Sequence, residues 1–206
     1  MRVIGEREWQ AAVAELAAGG VVAVPTDTVY GLAACLTSVG VESLFSLKAR
    51  SSELALPVLV GSIDQARAVA ASWTACADRL ARVFWPGALT VVVPAPPAVG
   101  SLVGGSGDSV GLRRPDCAVL DLLCAALGPL ALTSANRHGA PAATTIDEVV
   151  ASFELGAGPV LAIDGGRCDG VPSTVVDCTA EPVRRLRDGA VRWGDIAAVA
   201  AGRAPI

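Results

Sequence analysis

Short polar segments lie next to predicted strands or helices at four points of the sequence, and they are rich in hydroxyl groups or cationic. The segments are Thr26-Asp27-Thr28, Lys48-Ala49-Arg50, Thr133-Ser134-Ala135-Asn136 and Ser173-Thr174. In open α/β sheets the ligand crevice lies where strands end and loops begin, so these segments can meet in one pocket. Because such groups bind anions, the pattern predicts a crevice for an anionic ligand.

Two of these segments are suited to phosphate. Lys48 and Arg50 stand two residues apart at the end of a predicted helix, where two cations can straddle an oligophosphate. A helix C-terminus also favours cations without a ligand, so the spacing alone leaves both interpretations open. Ser134 and Asn136 offer a hydroxyl, an amide and backbone N–H groups to an anion, although both are also ordinary turn residues.

Further arginines lie at the ends of two predicted strands. Arg113 and Arg114 can bind a carboxylate or a phosphate, or form a solvated surface pair. Since successive side chains of a strand alternate, we expect Arg185 and Arg187 on one face of the sheet and Arg184 on the other.

The hydrophobic pattern predicts the elements that position these residues. Helical spacing and capping residues predict helices over 8–18, 38–48, 62–71, 75–84, 118–127, 146–153 and 195–201. Apolar runs predict strands over 21–24, 56–60, 89–93, 110–113, 130–133, 160–163, 174–178 and 183–186. The alternation indicates one α/β domain with a mixed sheet, and the Pro/Gly/Ser-rich segment 94–107 is expected to be a flexible loop and a candidate lid.

Composition excludes several classes of protein. The 206 residues carry 16 Lys and Arg against 20 Asp and Glu, and a net charge of −4 disfavours a general nucleic-acid coat protein. Hydrophobic residues make up 52%, enough for one sizeable core, yet no run of about 18 uncharged apolar residues predicts a membrane span. Glu6 and Glu8 interrupt the apolar region that an export signal needs, so we expect a cytoplasmic protein.

Cysteine and histidine chemistry is not predicted. The six cysteines form no C-x-x-C pair, so neither a disulfide framework nor a Cys/His zinc site is expected. His138 is the one histidine, and without a recognisable Ser/His/Asp spacing it is interpreted as a turn residue.

Five motifs occur in order over most of the chain. They are PTDTVYGL at 25–32, KAR at 48–50, FWPGALT at 84–90, TSAN at 133–136 and PSTVVD at 172–177. Together they resemble the YrdC family of threonylcarbamoyl-AMP synthases, with the resemblance extending over residues 9–192.

The resemblance implies an enzyme that joins L-threonine, bicarbonate or CO2, and ATP into threonylcarbamoyl-adenylate with release of pyrophosphate. This intermediate serves threonylcarbamoylation of the adenosine beside the anticodon in tRNA, completed by a partner tRNA threonylcarbamoyl transferase complex. The implied fold is a single YrdC-like α/β domain over residues 1–206, whose twisted mixed β-sheet is flanked by helices and forms a concave cationic cavity. Mg2+ is expected with ATP, without direct protein ligands, and stable nucleic-acid binding is not expected.

The resemblance also assigns site residues by position. The implied ATP contacts are Lys48, Arg50, Ser109, Ser134, Asn136 and Arg187. Four of them, Lys48, Arg50, Ser134 and Asn136, are also the predicted catalytic residues, because charge accumulates on the phosphate oxygens during the reaction. The implied threonine contacts are Thr26, Thr28, Arg113 and Ser173, with Arg113 pairing with the threonine carboxylate.

Two departures from the family pattern leave the substrate open. Ser51 stands where the family usually has proline, and the region 59–61 lacks a histidine that often contacts threonine. Two alternatives therefore stay open: a YrdC-like paralogue that makes another carbamoyl-adenylate, and a non-catalytic RNA-binding module of the same fold. The extra C-terminal domain of longer family members is expected to be absent.

Overall fold

The computed structural model describes residues 1–48, 55–137, 139–153 and 158–205. The strands are β1 (Arg2–Gly5), β2 (Val22–Val24), β3 (Gly31–Cys35), β4 (Val58–Leu59), β5 (Leu89–Pro94), β6 (Ser109–Arg113), β7 (Leu130–Ser134), β8 (Leu161–Asp164), β9 (Thr174–Asp177) and β10 (Arg184–Arg187). The α-helices are α1 (Trp9–Ala17), α2 (Ser38–Lys48), α3 (Ile63–Val69), α4 (Ala75–Phe84), α5 (Pro97–Val103), α6 (Ala118–Leu127), α7 (Ile146–Phe153) and α8 (Trp193–Ala200), and a short 3-10 helix spans Glu6–Glu8.

These strands form a single mixed sheet in the order β1-β8-β2-β3-β7-β4-β6-β5-β9-β10. The pairs β1–β8, β2–β8, β4–β6 and β5–β9 are parallel, and the other neighbours are antiparallel. The predicted fold class, an α/β domain with a mixed sheet flanked by helices, is confirmed.

Local sequence signals account for most of the helix boundaries. The Ser62 hydroxyl accepts a hydrogen bond from the Gln65 amide at 3.1 Å and begins α3, and Thr74 caps α4 through the Ala77 amide at 3.1 Å. The structure places α2, α4, α6 and α7 at the predicted residues. No helix of the described residues is long and apolar enough to cross a membrane.

The structure differs from the predicted elements at three places. Segment 94–107 is not the irregular loop expected, because it contains α5, which begins after Pro96 with Pro97 in its first turn and ends at Gly104 with φ of 80°. The predictions also missed β1, a four-residue edge strand, and β3. The GLAAC sequence of β3 has little strand propensity, and its pairing with β2 on one side and β7 on the other sets its conformation.

Helices cover the two faces of the sheet unequally. On one face the side chains of Leu89, Val91 and Val93 are buried in the core cluster that includes α2, α4 and α8. On the opposite face α1 and α6 pack over β1, β8, β2, β3 and β7. Thr90 and Val92 of β5 point to that opposite face, where they line a cavity instead of a core.

The chain after β10 packs tightly against the segment that precedes β9. The Ala190 amide donates to the Pro172 carbonyl at 3.0 Å, and the Thr174 hydroxyl donates to the Val191 carbonyl at 2.7 Å. A Cβ added at Gly189 would lie 2.3 Å from the Pro172 carbonyl oxygen and 2.4 Å from the Thr174 nitrogen. Only glycine fits at this crossing without moving backbone.

We predict that Gly189→Ala lowers the free energy of unfolding by about 1 to 3 kcal/mol, because a methyl group is forced against backbone that must shift. The measurement is urea unfolding followed by circular dichroism. Gly5→Ala is the matched control, since a Cβ at Gly5 meets nothing within 4 Å and its φ of −79° suits alanine. Equal stability of the two variants would contradict the packing described here.

Candidate functional site

A cavity of about 440 Å³ lies on the sheet face that α1 and α6 leave open. Its floor is formed by side chains of β5, β6, β7 and β9, and its walls by the turn after β2 and the segments before β4 and β9. The polar and charged residues among the described lining are Thr26, Thr28, Tyr30, Thr90, Arg113, Thr133, Ser134, Ser173 and Arg187.

The turn after β2 is fixed by its own hydroxyl groups. The Thr26 hydroxyl accepts hydrogen bonds from the amides of Thr28 and Val29 at 3.0 and 3.1 Å and donates to the Val29 carbonyl at 2.7 Å. The hydroxyls of Thr26 and Thr28 lie 2.9 Å apart, and both residues are buried. The proton of Thr26 is thus committed within the turn, which presents the side chain of Thr28 to the neighbouring strand.

Arg113 is held at the end of β6 by three acceptors from two parts of the chain. Its Nε donates to the Gly87 carbonyl at 3.0 Å, and one terminal nitrogen donates to the Thr28 hydroxyl at 3.0 Å. The other terminal nitrogen forms an ion pair with Asp27. Because a guanidinium has five N–H donors, these three contacts fix the side chain and leave two further donors on a residue that lines the cavity.

The sequence analysis gave Asp27 no role. It lies inside the quoted PTDTVYGL motif, yet one carboxylate between two threonines does not reveal that its partner is an arginine 86 residues away. The signal that was available is its type, since an acidic residue directly after a buried strand needs a partner.

A second polar cluster joins β5, β10 and the residue that precedes β9. The hydroxyls of Thr90 and Ser173 lie 2.9 Å apart. Arg187 donates to the Ser173 carbonyl at 2.8 and 3.1 Å and to the Ser173 hydroxyl at 3.0 Å. Thr90 is a residue that the sequence analysis quoted in a motif without assigning it a role.

The three arginines of β10 do not follow the predicted alternation. Arg185 pairs with Val176 and Arg187 with Val175, so the register shifts between them. Opposite residues of paired strands share a face, and the bulge therefore brings Arg187 to the cavity and leaves Arg185 on the helix-covered face, 5.6 Å from the Trp193 ring centre. The prediction that Arg185 and Arg187 share one face is wrong, because it assumed a strand without a bulge.

The two arginines of the cavity influence each other. Burial and the nearby charge of Arg113 lower the pKa of the Arg187 guanidinium. Arg113 is paired with Asp27, whereas no carboxylate of the described residues forms an ion pair with Arg187. This leaves Arg187 suited to an incoming anion, although the cationic character of the whole cavity stays a prediction.

Lys48 reaches the end of β7 from α2. Its ammonium donates to the Ser134 carbonyl at 2.9 Å and to the Asn136 side-chain oxygen at 3.1 Å, and it also contacts the Asn136 carbonyl. Lys48 and Asn136 are buried, and Ser134 lines the cavity. The structure thus brings Lys48, Ser134 and Asn136 together, and Ser134 is the one of these three that lines the cavity.

The remaining predicted residues are placed less directly. Ser109 begins β6 on the same face as Gly111 and Arg113, two residues before the stretch of β6 that lines the cavity. Arg50, Ser51 and His138 lie outside the described residues. Their predicted roles stay predictions.

Tyr30 connects the first turn to the loop after β8. Its hydroxyl donates to the Gly166 carbonyl at 2.8 Å and accepts from the Gly165 amide at 3.2 Å. Burial raises the pKa of Tyr30 to about 12. The phenol thus stays protonated, and its two hydrogen bonds fix the loop after β8 to Tyr30.

The donor set of this site favours anions over a protein-bound metal. No group of three or more His, Cys, Asp or Glu side chains within the described ranges could hold a metal ion. The Asp27 carboxylate forms an ion pair with Arg113. Hydroxyls and guanidinium groups can instead bind carboxylate and phosphate oxygens, which is the chemistry that the sequence predicts.

Comparison with known proteins identifies related sequences and structures. The family model Sua5_yciO_yrdC, described as "Telomere recombination", matches residues 14–189. A protein of Mycobacterium leprae is 39% identical over 191 residues, which cover 91% of this chain and 86% of that protein. The threonylcarbamoyl-AMP synthase of Pyrococcus abyssi is 35% identical over 195 residues, covering 92% of this chain and 56% of that protein.

A solved structure has the same fold. The crystal structure of Pyrococcus abyssi Sua5 complexed with L-threonine superposes with a TM-score of 0.89 at 32% identity, covering 97% of this chain and 61% of that one. The chain thus spans less than two thirds of that relative.

We predict from the geometry that Asp27→Asn destabilises the protein by about 3 kcal/mol, because it leaves the buried Arg113 charge without its counter-charge. Asp121→Asn is the matched control, since Asp121 pairs with the neighbouring Arg114 but both side chains are partly exposed, and its cost should be below about 1 kcal/mol. Thermal and urea unfolding measure both. Equal losses would mean that the Asp27 pair is no more buried than the surface pair.

Tyr30 is the one tyrosine of the chain, so tyrosinate absorbance in the near ultraviolet reports it alone. We expect a titration midpoint near pH 12 in the folded protein, against about 10 in urea. Between these values only the unfolded chain loses the proton, so the stability due to this phenol is complete below pH 10 and falls as the pH rises towards 12. A midpoint near 10, with circular dichroism still native, would contradict the burial of this group.

Proposed function

Because the chain belongs to the Sua5/YciO/YrdC family, we propose that it is a threonylcarbamoyl-AMP synthase, which forms threonylcarbamoyl-adenylate and pyrophosphate from L-threonine, bicarbonate or CO2, and ATP. The observation that carries the proposal is the meeting of Arg113, Arg187, Thr28 and Ser173 in one cavity of about 440 Å³. These arginine and hydroxyl side chains can bind a carboxylate, a hydroxyl and a phosphate chain.

The amino acid is proposed to lie near Arg113. The guanidinium is already oriented by Asp27, Thr28 and the Gly87 carbonyl, and its remaining N–H groups are proposed to bind the threonine carboxylate. Thr26 and Ser173 complete the predicted threonine contacts, and Leu59 supplies an apolar wall. The crystal structure of Pyrococcus abyssi Sua5 with L-threonine supports this choice of substrate.

The nucleotide is proposed to extend from the threonine site along the ends of β6 and β7. Arg187 is proposed to bind phosphate, as is the cluster that Lys48 forms with Ser134 and Asn136. The predicted contacts of Arg50 and Ser109 with ATP would extend this proposed nucleotide site. The ammonium of Lys48 is buried against backbone carbonyls. It is therefore held at one position while negative charge develops on the phosphate oxygens.

The chemistry requires no covalent enzyme intermediate. The threonine amine attacks CO2 to form a carbamate and loses a proton, and a carbamate oxygen then attacks the α-phosphorus in line. The new P–O bond forms as the bond to the pyrophosphate oxygen breaks, and the electron pair leaves with pyrophosphate. We propose that Lys48, Arg50, Ser134 and Asn136 act by positioning the phosphates and stabilising their charge.

Mg2+ is proposed to enter with ATP. The described lining offers hydroxyl and carbonyl oxygens rather than a carboxylate cluster, which suits a metal held mainly by phosphate oxygens and water. When bound, the ion supplies neutralisation of phosphate charge. The product is proposed to pass in the cytoplasm to a tRNA threonylcarbamoyl transferase complex, without stable binding of tRNA by this chain.

The direct test of this function is pyrophosphate release by the purified protein. Release should require ATP, L-threonine and bicarbonate together, with Mg2+ present, and the threonylcarbamoyl-adenylate should be detected by mass spectrometry. Pyrophosphate release that is independent of threonine, or that is supported equally by a different amino acid, would favour the paralogue that makes another carbamoyl-adenylate. Absence of any release would reject a synthase.

We further predict that Arg187→Ala lowers kcat/KM for ATP by about 100-fold or more, since one preorganised donor to developing charge contributes roughly 3 to 4 kcal/mol. Arg185→Ala is the matched control, because this arginine lies two residues away on the opposite face. It should retain activity within about twofold. Equal effects of the two substitutions on kcat/KM would contradict the proposed role of Arg187 in binding ATP.

A further inference from the structure

A second cavity, of about 350 Å³, lies on the other face of the sheet from the candidate site. We call it the rear cavity, and it is bordered by α4, α8 and the turn between β9 and β10. Its lining residues are Cys76, Arg79, Glu181, Pro182, Val183, Trp193, Ala197, Ala200 and Ala201. Neither the motifs nor the proposed reaction uses any of these side chains.

Arg79 gives the rear cavity its chemistry. One of its terminal nitrogens donates to the Ala200 carbonyl at 2.7 Å, at the end of α8. Its Nε is buried without a hydrogen-bond partner. No carboxylate in the ranges that the structure describes forms an ion pair with Arg79, whereas Arg82, one turn further along α4, pairs with Asp78 at 2.7 Å.

A buried donor without an acceptor is unfavourable by about 1 to 3 kcal/mol, and more when the group is charged. Because the Nε is buried, an acceptor in the rear cavity would bind the terminal N–H groups of Arg79, and this contact would offset part of the loss. An anionic acceptor would in addition form an ion pair with Arg79, which no carboxylate of the described residues forms.

The rest of the lining restricts the kind of anion. Pro182, Val183, Trp193 and the alanines of α8 form a mainly apolar wall, so the body of the ligand should be apolar. Glu181 also lines this space, and its negative charge disfavours a ligand that carries more than one negative charge. A phosphate dianion is therefore disfavoured relative to a single carboxylate.

We propose that the rear cavity is a binding site for a small monocarboxylate with an apolar or aromatic body, whose carboxylate binds Arg79. The site is separated from the first cavity by the sheet itself. Its occupation is therefore compatible with occupation of the first cavity, and the proposal does not depend on the proposed function.

The test uses 3-phenylpropionate as the probe and 3-phenylpropanol as its uncharged counterpart, titrated against the full chain by saturation-transfer NMR. We expect saturable binding of the carboxylate with a Kd of about 5 mM or tighter, as suits a ligand of this size. The alcohol should bind at least about tenfold more weakly, because it lacks the charge that Arg79 requires.

Variants locate the probe. Arg79→Met should weaken binding at least about tenfold, whereas Arg82→Met and Arg187→Ala should leave the Kd unchanged. Ala197→Leu, which fills the cavity from α8, should abolish binding without touching the charge and serves as the second variant if Arg79→Met does not fold. Absence of saturable binding, an unchanged Kd in Arg79→Met, or loss of binding in Arg187→Ala would each overturn the proposal.

Discussion

The structure depends on how a charged side chain is kept at the end of a buried strand. Arg113 ends β6, between β4 and β5, and the residue is only 5% exposed. An isolated charge at such a place would be strongly destabilising. The chain meets this constraint with the Asp27 carboxylate, the Thr28 hydroxyl and the Gly87 carbonyl. The Arg113 guanidinium thereby connects the end of β6 with the turn after β2 and with the loop before β5. The cavity forms around this guanidinium.

The second arginine of the cavity, Arg187, is positioned by a register shift in β10. β10 is an edge strand, and a regular alternation would place Arg187 on the same face as Arg185. The register shift against β9 reverses this. Ser173 then receives Arg187 through its carbonyl and its hydroxyl, and Gly189 allows the returning chain to cross close behind. The cavity thus depends on a backbone irregularity as much as on residue type.

Much of the fold and of the candidate site could be predicted from the sequence. Capping residues and helical spacing determine α4 locally, and its bounds were predicted correctly because nothing distant decides them. The conformation of β3 is decided by two neighbouring strands, and the GLAAC sequence contains no local sign of them. α5 was missed for another reason, since proline and glycine indicate a loop unless proline falls at the first turn and glycine at the end.

The same distinction applies to the site residues. Residue type and position at the start or the end of a strand were enough to single out Thr28, Arg113 and Ser173. The roles of Asp27 and Thr90 depend on partners 86 and 83 residues away, which single-sequence patterns do not contain. The face of Arg187 depends on one bulge, which no residue of the RRLR stretch indicates by its type.

The most direct test of the account is a crystal structure of this chain with L-threonine and a non-hydrolysable ATP analogue. The account predicts both molecules in the cavity on the open face of the sheet, with the threonine carboxylate on Arg113 and phosphate oxygens within hydrogen-bond distance of Arg187. Ligands bound at a different surface, or a threonine carboxylate that does not contact Arg113, would contradict it.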